Sequence, residues 1–478
     1  MKQADSEQSQ RNEQLNVGRG KTWVLALTSA SAFMAALDSQ VVNAALGTIR
    51  QSLAIPVETL QWTVNAYNLS FAVLLLTGAA LGDRFGRRRM FVSGIAIFVI
   101  ASALCALAPD AGWLIAGRAL QGVGSALLMP LAMALLSTAF PREQRAKALG
   151  IFSGLTGLAV VAGPPLGGAI TAGLSWHWIF WINVPIGLAI ILLSRVRVPE
   201  SFGPPARLDI LGLILASAAA FGVVWGLMLG KSLGWSNPIV ATSLIAGCVL
   251  TIAFVAVEKR ISEPMLPMRL FRERAFSAGV LSSLLFTAAM YGVLFFIAQF
   301  FQTAQGFGPL GAGVRMMPWT ATLFFFAPIG GRLVGLVGER PLVVGGLLLQ
   351  ALGMGWFALV ASPDIAYGAL VMPMIIAGVG VSVAMPSSQN VVISSVAPAE
   401  VGKASGAYNM FRFLGGAFGI AILVSVFDHI GGFASPHDFS AGFKAAVGGA
   451  AVLSAVGAVV AMALPARRKL TVSSPTPA

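Results

Sequence analysis

The sequence predicts an all-α membrane protein in which two six-helix bundles flank two inserted helices, fourteen spans in all. Three observations predict it. The chain of 478 residues is 57% hydrophobic and 10% charged, with mean hydropathy +0.83. A soluble domain carries about 25% charged residues, so these charges cannot cover a water-facing surface of this size. Fourteen apolar runs are each long enough to cross a hydrocarbon core, which takes about 20 helical residues. Finally, the two ends of the chain repeat each other in one register.

The runs lie at 22–46, 59–80, 90–108, 111–138, 148–171, 178–196, 209–229, 238–257, 276–301, 313–336, 341–361, 365–390, 404–427 and 442–464. Pro109, Asp110 and Ala111 read as a tight turn between the third and fourth. Residues 1–21 are polar, with no apolar signal-peptide core, so the first run is read as a retained span. They and 466–478 read as disordered cytoplasmic tails. Lys and Arg sort by loop: 25 of the 31 fall on the side of the termini, and Arg50, Lys231, Arg315 and Lys444 fall on the other. That asymmetry places both termini in the cytoplasm of a multi-pass cytoplasmic-membrane protein.

The repeat has an offset of 256. Gly122 to Pro130 returns as Gly378 to Pro386, Lys147-Ala-Leu-Gly150 as Lys403-Ala-Ser-Gly406, and Gly82-Asp83-Arg84 as Gly338-Glu339-Arg340. It equates spans 2–5 with spans 10–13. The predicted organisation is an N-terminal bundle at 22–198, an inserted helix pair at 199–260 and a C-terminal bundle at 261–465. Parallel repeats about the membrane normal are a transporter architecture, with cargo held between the halves.

Composition and motif content exclude other classes. The net charge of +13 suggests nucleic acid at first sight. The basic residues, however, form short clusters between apolar runs rather than one face, so no nucleic-acid partner is expected. Cys105 and Cys248 lie inside apolar runs and read as small buried residues. His177, His429 and His437 fall at the outer membrane face, away from any intramembrane relay. No metal-ligand spacing, phosphate-cradling loop or nucleophile–base set appears, so neither an enzyme nor an ATP-driven pump is expected.

Charges inside spans are functional candidates. Asp38 in span 1 and Arg118 in span 4 lie about 12 Å and 10 Å from the outer ends of their helices at 1.5 Å per residue, so they can share one depth. Burial disfavours a charged carboxyl and an adjacent arginine favours it, which suits a group that loads and releases a proton. No other carboxylate is near mid-span, so the pair reads as proton-handling rather than as a static ion pair. Arg412, nearer the cytoplasmic end of span 13, reads as a snorkelling side chain. Gly82-Asp83-Arg84-Phe85-Gly86-Arg87-Arg88 occupies the loop between spans 2 and 3 and reads as a conformational latch rather than a basic anchor alone. Gly157, Gly163, Pro164, Gly167 and Gly168 in span 5 give a glycine-faced, proline-interrupted helix suited to close sliding contact. Polar and aromatic residues propose a cavity: Asn43, Trp62, Asn65, Tyr67, Asn68, Gln121, Phe295, Gln299 and Gln302. Gln61, Asn65 and Asn68 share one face of span 2. Such amides either line the cavity or bond helix to helix.

These motifs together resemble the major facilitator superfamily. Gly82 to Arg88 resembles its loop 2–3 signature, and Arg118-Ala-Leu-Gln121-Gly its span 4 motif. The run from Gly157 to Gly168 resembles the span 5 motif of antiporters. Leu37-Asp38 to Asn43, Trp178 to Gly187 with Asn183, and Glu263 to Phe271 are similar to stretches of the fourteen-helix drug:proton antiporter branch. The resemblance implies the major facilitator fold and export driven by a proton gradient with no cofactor. It also implies that Arg118 aids proton handling and that Asp83 supports the cytoplasmic gate. His177 stands where that branch commonly has Arg, and the later spans lack the mid-membrane carboxylates of members that export dications. The expected function is therefore proton-coupled export of small amphiphilic drugs or antibiotics, as in multidrug efflux and antibiotic resistance. The alternatives are a dedicated exporter of one metabolite or self-made antibiotic, and a nutrient importer. The expected partners are cargo, protons and membrane lipids, around a monomer that leaves room for an accessory partner.

Overall fold

The computed structural model describes residues 2–203, 209–262, 264–396 and 400–465; the predicted C-terminal tail at 466–478 lies outside the described residues. Among the described residues fourteen long helices carry the fold: α1 Lys2–Leu53, α2 Trp62–Phe85, α3 Arg87–Ala106, α4 Ala111–Ala139, α5 Arg142–Gly173, α6 Asn183–Arg197, α7 Ile210–Leu233, α8 Pro238–Glu258, α9 Arg274–Gln299, α10 Met317–Val337, α11 Glu339–Val360, α12 Tyr367–Ser394, α13 Val401–Ile430 and α14 Pro436–Ala461. Among the described residues thirteen helical stretches are long and apolar enough to cross a membrane. The remaining predicted span, 313–336, coincides with the 21-residue helix α10.

Local chemistry sets the helix ends. Asp110 caps α4 by accepting the Trp113 amide at 2.9 Å, which makes the predicted turn after α3. Gly86 at φ 106° ends α2 and starts α3; Gly338 at φ 84° does the same for α10 and α11. A side chain at such a φ is strained, which is why glycine stands at both.

Helix packing is two-fold. The pairs α2–α4, α3–α4, α1–α5, α3–α6 and α1–α6 recur as α10–α12, α11–α12, α9–α13, α11–α14 and α9–α14. Between the halves, α2 packs on α13 and α5 on α10, contacts that the repeat exchanges, and α1 packs on α9. The close approaches repeat as well. A Cβ on Gly124 would meet the Gly94 carbonyl oxygen at 2.7 Å, and one on Gly380 would overlap the Gly346 carbonyl. The inserted helices α7 and α8 pack on each other, and α7 leans on α2 and α13.

Three expectations need correction. The segment 2–21, predicted disordered, is helical and continuous with α1. It contains no proline and is rich in Gln, Glu and Arg, which are good helix formers. The repeat changes register at the loop: Gly82 lies inside α2, so the structural counterpart of Gly338 is Gly86, four residues later. One helical turn separates the two alignments, which is why the sequence match at Gly82 looked sound. Cys248 is exposed on α8 rather than buried; a small weakly polar side chain is tolerated on an apolar outer face.

Candidate functional site

The N-terminal half closes around Asp38. Arg118 Nη1 donates to Asp38 Oδ2 at 2.6 Å, with side-chain exposures of 1% and 0%. Asn183 Nδ2 donates to Asp38 Oδ1 at 2.8 Å and Gln121 Nε2 donates to the same oxygen at 3.2 Å. Ser102 Oγ ties the two amides together, 2.6 Å from Gln121 and 3.3 Å from Asn183. Arg118 Nε donates to the Thr63 carbonyl at 2.9 Å, and Nη1 donates to Gln121 Oε1 at 2.7 Å. Tyr67, bonded to Ser125 Oγ at 2.9 Å, covers the guanidinium at 4.5 Å from its ring. Phe180 stands 5.9 Å away. Helices α1, α2, α3, α4 and α6 thus converge on one buried charge pair. Charges so deep persist only when paired and hydrogen-bonded.

Sequence reasoning found Asp38, Arg118 and Gln121, and matched depth brought the first two together. Gln121 belongs to this network rather than to a cargo cavity, because both ends of its amide are used. Asn183 entered only within a resemblance and acts here as a direct donor; an amide inside an apolar span was the available signal. Ser102 and the Thr63 carbonyl carry no distinguishing sequence signal.

On the side opposite the termini, α1 and α5 seal the halves together. Within the N-terminal half, Gln40 and Val41, two and three residues beyond Asp38, pack against Gly163 and Gly167 of α5; the contacts with the other half lie beside them. Gly168 meets the Pro309 carbonyl, and Gly313 meets the Pro164 carbonyl, where the short helix Pro309–Arg315 crosses α5. Gln302 donates to the Ala44 carbonyl at 3.0 Å, and Arg50 lies 3.7 Å from the centroid of the Phe433 ring. On the side of the termini the face of α5 that holds Gly168 carries Gly150, Gly154 and Gly157, and a Cβ on any of them would meet nothing within 4 Å. Gly157 is therefore outside the seal, to which Pro164 and Gly168 belong, while Gly163 and Gly167 pack on α1 within the same half.

The loop after α2 clamps to residues 198–203. Asp83 accepts from Arg87 Nε at 2.8 Å, and its carbonyl accepts the Gly203 amide at 3.1 Å. Glu200, which the sequence did not single out, accepts the Arg88 amide at 2.8 Å and lies 3.6 Å and 3.7 Å from the Arg88 and Arg89 Nε atoms. Gly82 packs on Leu131, and Arg84 lies 5.3 Å from the Phe85 ring.

The predicted cavity residues separate. Trp62 packs at a tilt against Phe221 and Trp225 of α7, ring centroids 5.7 and 5.6 Å apart. Phe295 is wholly buried in the hydrophobic core, edge-on to Phe296. Gln302 belongs to the seal, and Gln299 spends its amide N–H on the Phe295 carbonyl at 2.6 Å. Asn43 is buried on α1. Three amides of α2 remain: Gln61 and Asn65 have no partner for either polar atom, and Asn68 has none for Nδ2. At about 100° per residue they share one face. That face is flanked by Leu69 and Val73, which pack with Ala417 and Ala421 of α13, and by Phe71, 4.2 Å from Phe413. Each orphaned buried polar atom costs about 1–3 kcal/mol, so this seam gains when water or a ligand enters.

A pseudo-symmetric pair of helical bundles, sealed at one membrane face and unpacked along α5 at the other, defines a membrane transporter. The chain belongs to the Major Facilitator Superfamily, whose family model matches residues 28–420. It is 35% identical over 411 residues to the tetracenomycin C resistance and export protein of Streptomyces glaucescens, covering 85% of this chain and 76% of that one. It is 35% identical over 462 residues to a cephamycin export protein of Amycolatopsis lactamdurans, covering 94% of each. Among solved structures it shares the fold of a bacterial homolog of the human lysosomal transporter Spinster, with TM-score 0.66, 17% identity and coverage of 93% and 97%.

Proposed function

We propose that this protein exports small amphiphilic compounds, drugs or antibiotics among them, across the cytoplasmic membrane in exchange for protons. The observation that carries this reading is the buried Asp38–Arg118 pair, less than two helical turns along α1 from the Ala44 carbonyl that Gln302 of the other half meets in the seal. The names of the relatives support export, and the Lys/Arg asymmetry supports cytoplasmic termini.

With the termini inside, the state described here is closed outside and unpacked inside along α5. The ionised carboxylate holds α1 to α4 and α6 through Arg118, Gln121 and Asn183. Protonation of Asp38 removes the charge attraction and turns one acceptor oxygen into a donor. That loosens α1, whose Ala44 carbonyl and Arg50 meet the other half in the seal. Rocking of the halves then moves the opening from one face to the other. Cargo and proton are coupled because each binds the two states with different affinity. No cofactor takes part, and the protein works as a monomer. A dedicated role for one compound is the second reading, favoured by relatives named for single antibiotics.

The test is reconstitution into liposomes with an imposed pH gradient and a panel of dyes and antibiotics. Gradient-driven movement of at least one compound that Asp38→Asn abolishes supports the reading. Full transport by that variant refutes the proton role. Accumulation in the direction of import refutes export.

A further inference from the structure

Arg118 and Arg412 lie well away from the ends of their spans, and they differ in one respect. Arg118 is ion-paired and bonded to a carbonyl and an amide oxygen. Arg412 lies nine residues beyond Lys403 on α13, about 14 Å along the axis. Its Nε is buried without a hydrogen-bond partner, and no described carboxylate pairs with it. The side chain as a whole is half-buried, so the neck of the guanidinium is enclosed by the protein while its outer N–H groups stay accessible. It lies 4.8 Å from the Phe413 ring. Phe413 reaches Phe71 of α2 at 4.2 Å and Tyr291 of α9 at 6.4 Å. Phe71 is one turn from Asn68, at the end of the row of unpartnered amides.

We propose that the seam between α2 and α13 takes an amphiphile carrying a carboxylate or similar anionic group, and that Arg412 binds that group. The rest of the cargo meets Phe71, Phe413, Tyr291 and the amides of Gln61, Asn65 and Asn68. This rests on the export reading and adds the charge of the cargo to it. Aromatic rings alone would suit a cation as well. Here the guanidinium already occupies a ring face, and Asp38 is spent on Arg118. The uncompensated charge of the seam is therefore positive. A planar guanidinium with free N–H groups matches a carboxylate in geometry as well as sign.

The test is fluorescence polarisation with purified full-length protein in phosphatidylcholine nanodiscs, using three probes that share one fluorophore. They are dansyl-glycine, an anion; dansyl-glycinamide, neutral; and dansyl-ethylenediamine, a cation. The wild type is expected to bind dansyl-glycine at least about tenfold more tightly than the other two. Arg412→Gln removes that difference, Arg412→Lys keeps part of it, and Asn65→Ala weakens all three probes alike. Equal or tighter binding of the neutral or cationic probe to the wild type overturns the proposal, as does a preference that survives in Arg412→Gln. Where the Gln variant does not fold, an unaltered preference in Arg412→Lys overturns it, since an ammonium cannot reproduce the bidentate fork. Loss of the preference in phosphatidylglycerol discs assigns Arg412 to a lipid headgroup and overturns it too. Binding needs no gradient, so these outcomes are separate from the Asp38→Asn efflux assay that bears on export.

Discussion

Asp38 and Ala44 lie on α1 with different duties: Asp38 is fixed by Arg118 at 2.6 Å, and the Ala44 carbonyl, six residues on, accepts from Gln302 of the other half at 3.0 Å. Less than two helical turns therefore separate the charge pair from a contact that closes one membrane face. A change at the carboxyl reaches the seal through a rigid backbone, with no long relay.

This gives the first prediction. Asp38→Asn strands a buried guanidinium, and breaking one partner of such a pair costs about 3–5 kcal/mol. The expected result is a lower melting temperature and no gradient-driven efflux. The double variant Asp38→Asn with Arg118→Gln recovers much of the stability and none of the efflux. Melting of the purified protein, followed by tryptophan fluorescence, and liposome flux check the two halves of the statement.

The two ends of α5 should respond oppositely. Gly168→Leu places bulk against the Pro309 carbonyl and prevents the seal. Gly154→Leu fills an unpacked face and prevents closure on the other side. Both lower turnover. A Gln302→Cys reporter reacts faster with membrane-impermeant maleimide in the first variant and more slowly in the second. Equal labelling rates in both would contradict the rocking scheme.

Arg50 on Phe433 is a cation–π contact across the sealed face. Such contacts are worth about 0.5–2 kcal/mol. Phe433→Leu should shift the population toward the unsealed state by roughly two- to thirtyfold at 1.4 kcal/mol per decade. Distance measurements between spin labels across α1 and α14 report that shift.

Glu200 gathers the N-terminus of α3 and two arginines. Its replacement by Ala leaves the Arg88 amide without its side-chain acceptor and frees the loop. Limited trypsin digestion should then cut at Arg87 to Arg89 several times faster, with stability lowered by about 1 kcal/mol.

How much of this was legible differs by residue. Asp38 and Arg118 stood out because a charge in an apolar run is rare and costly. Their shared depth followed from the rise of a helix, and their pairing confirms that arithmetic. Gly163, Gly167 and Gly168 were legible as a packing face, whereas Gly157 looked the same in sequence and packs on nothing. Gln121, Gln302 and Phe295 look like cavity residues in the chain. Which neighbour an amide or ring meets depends on helix rotation and tilt, and neither is encoded in local hydropathy.

The sequence by itself determined the apolar helices, the two-fold repeat and the presence of a buried acid and base. Those properties follow from hydrocarbon thickness, charge cost and helix rise, which act on each segment separately. Tertiary structure alone decided that Asn183 and Ser102 complete the carboxylate's shell and that Arg412 buries its Nε without a hydrogen-bond partner. It also decided that one α5 face is sealed at one end and bare at the other. Each of these depends on how helices distant in the chain rotate against one another, and only packing of the whole fixes that.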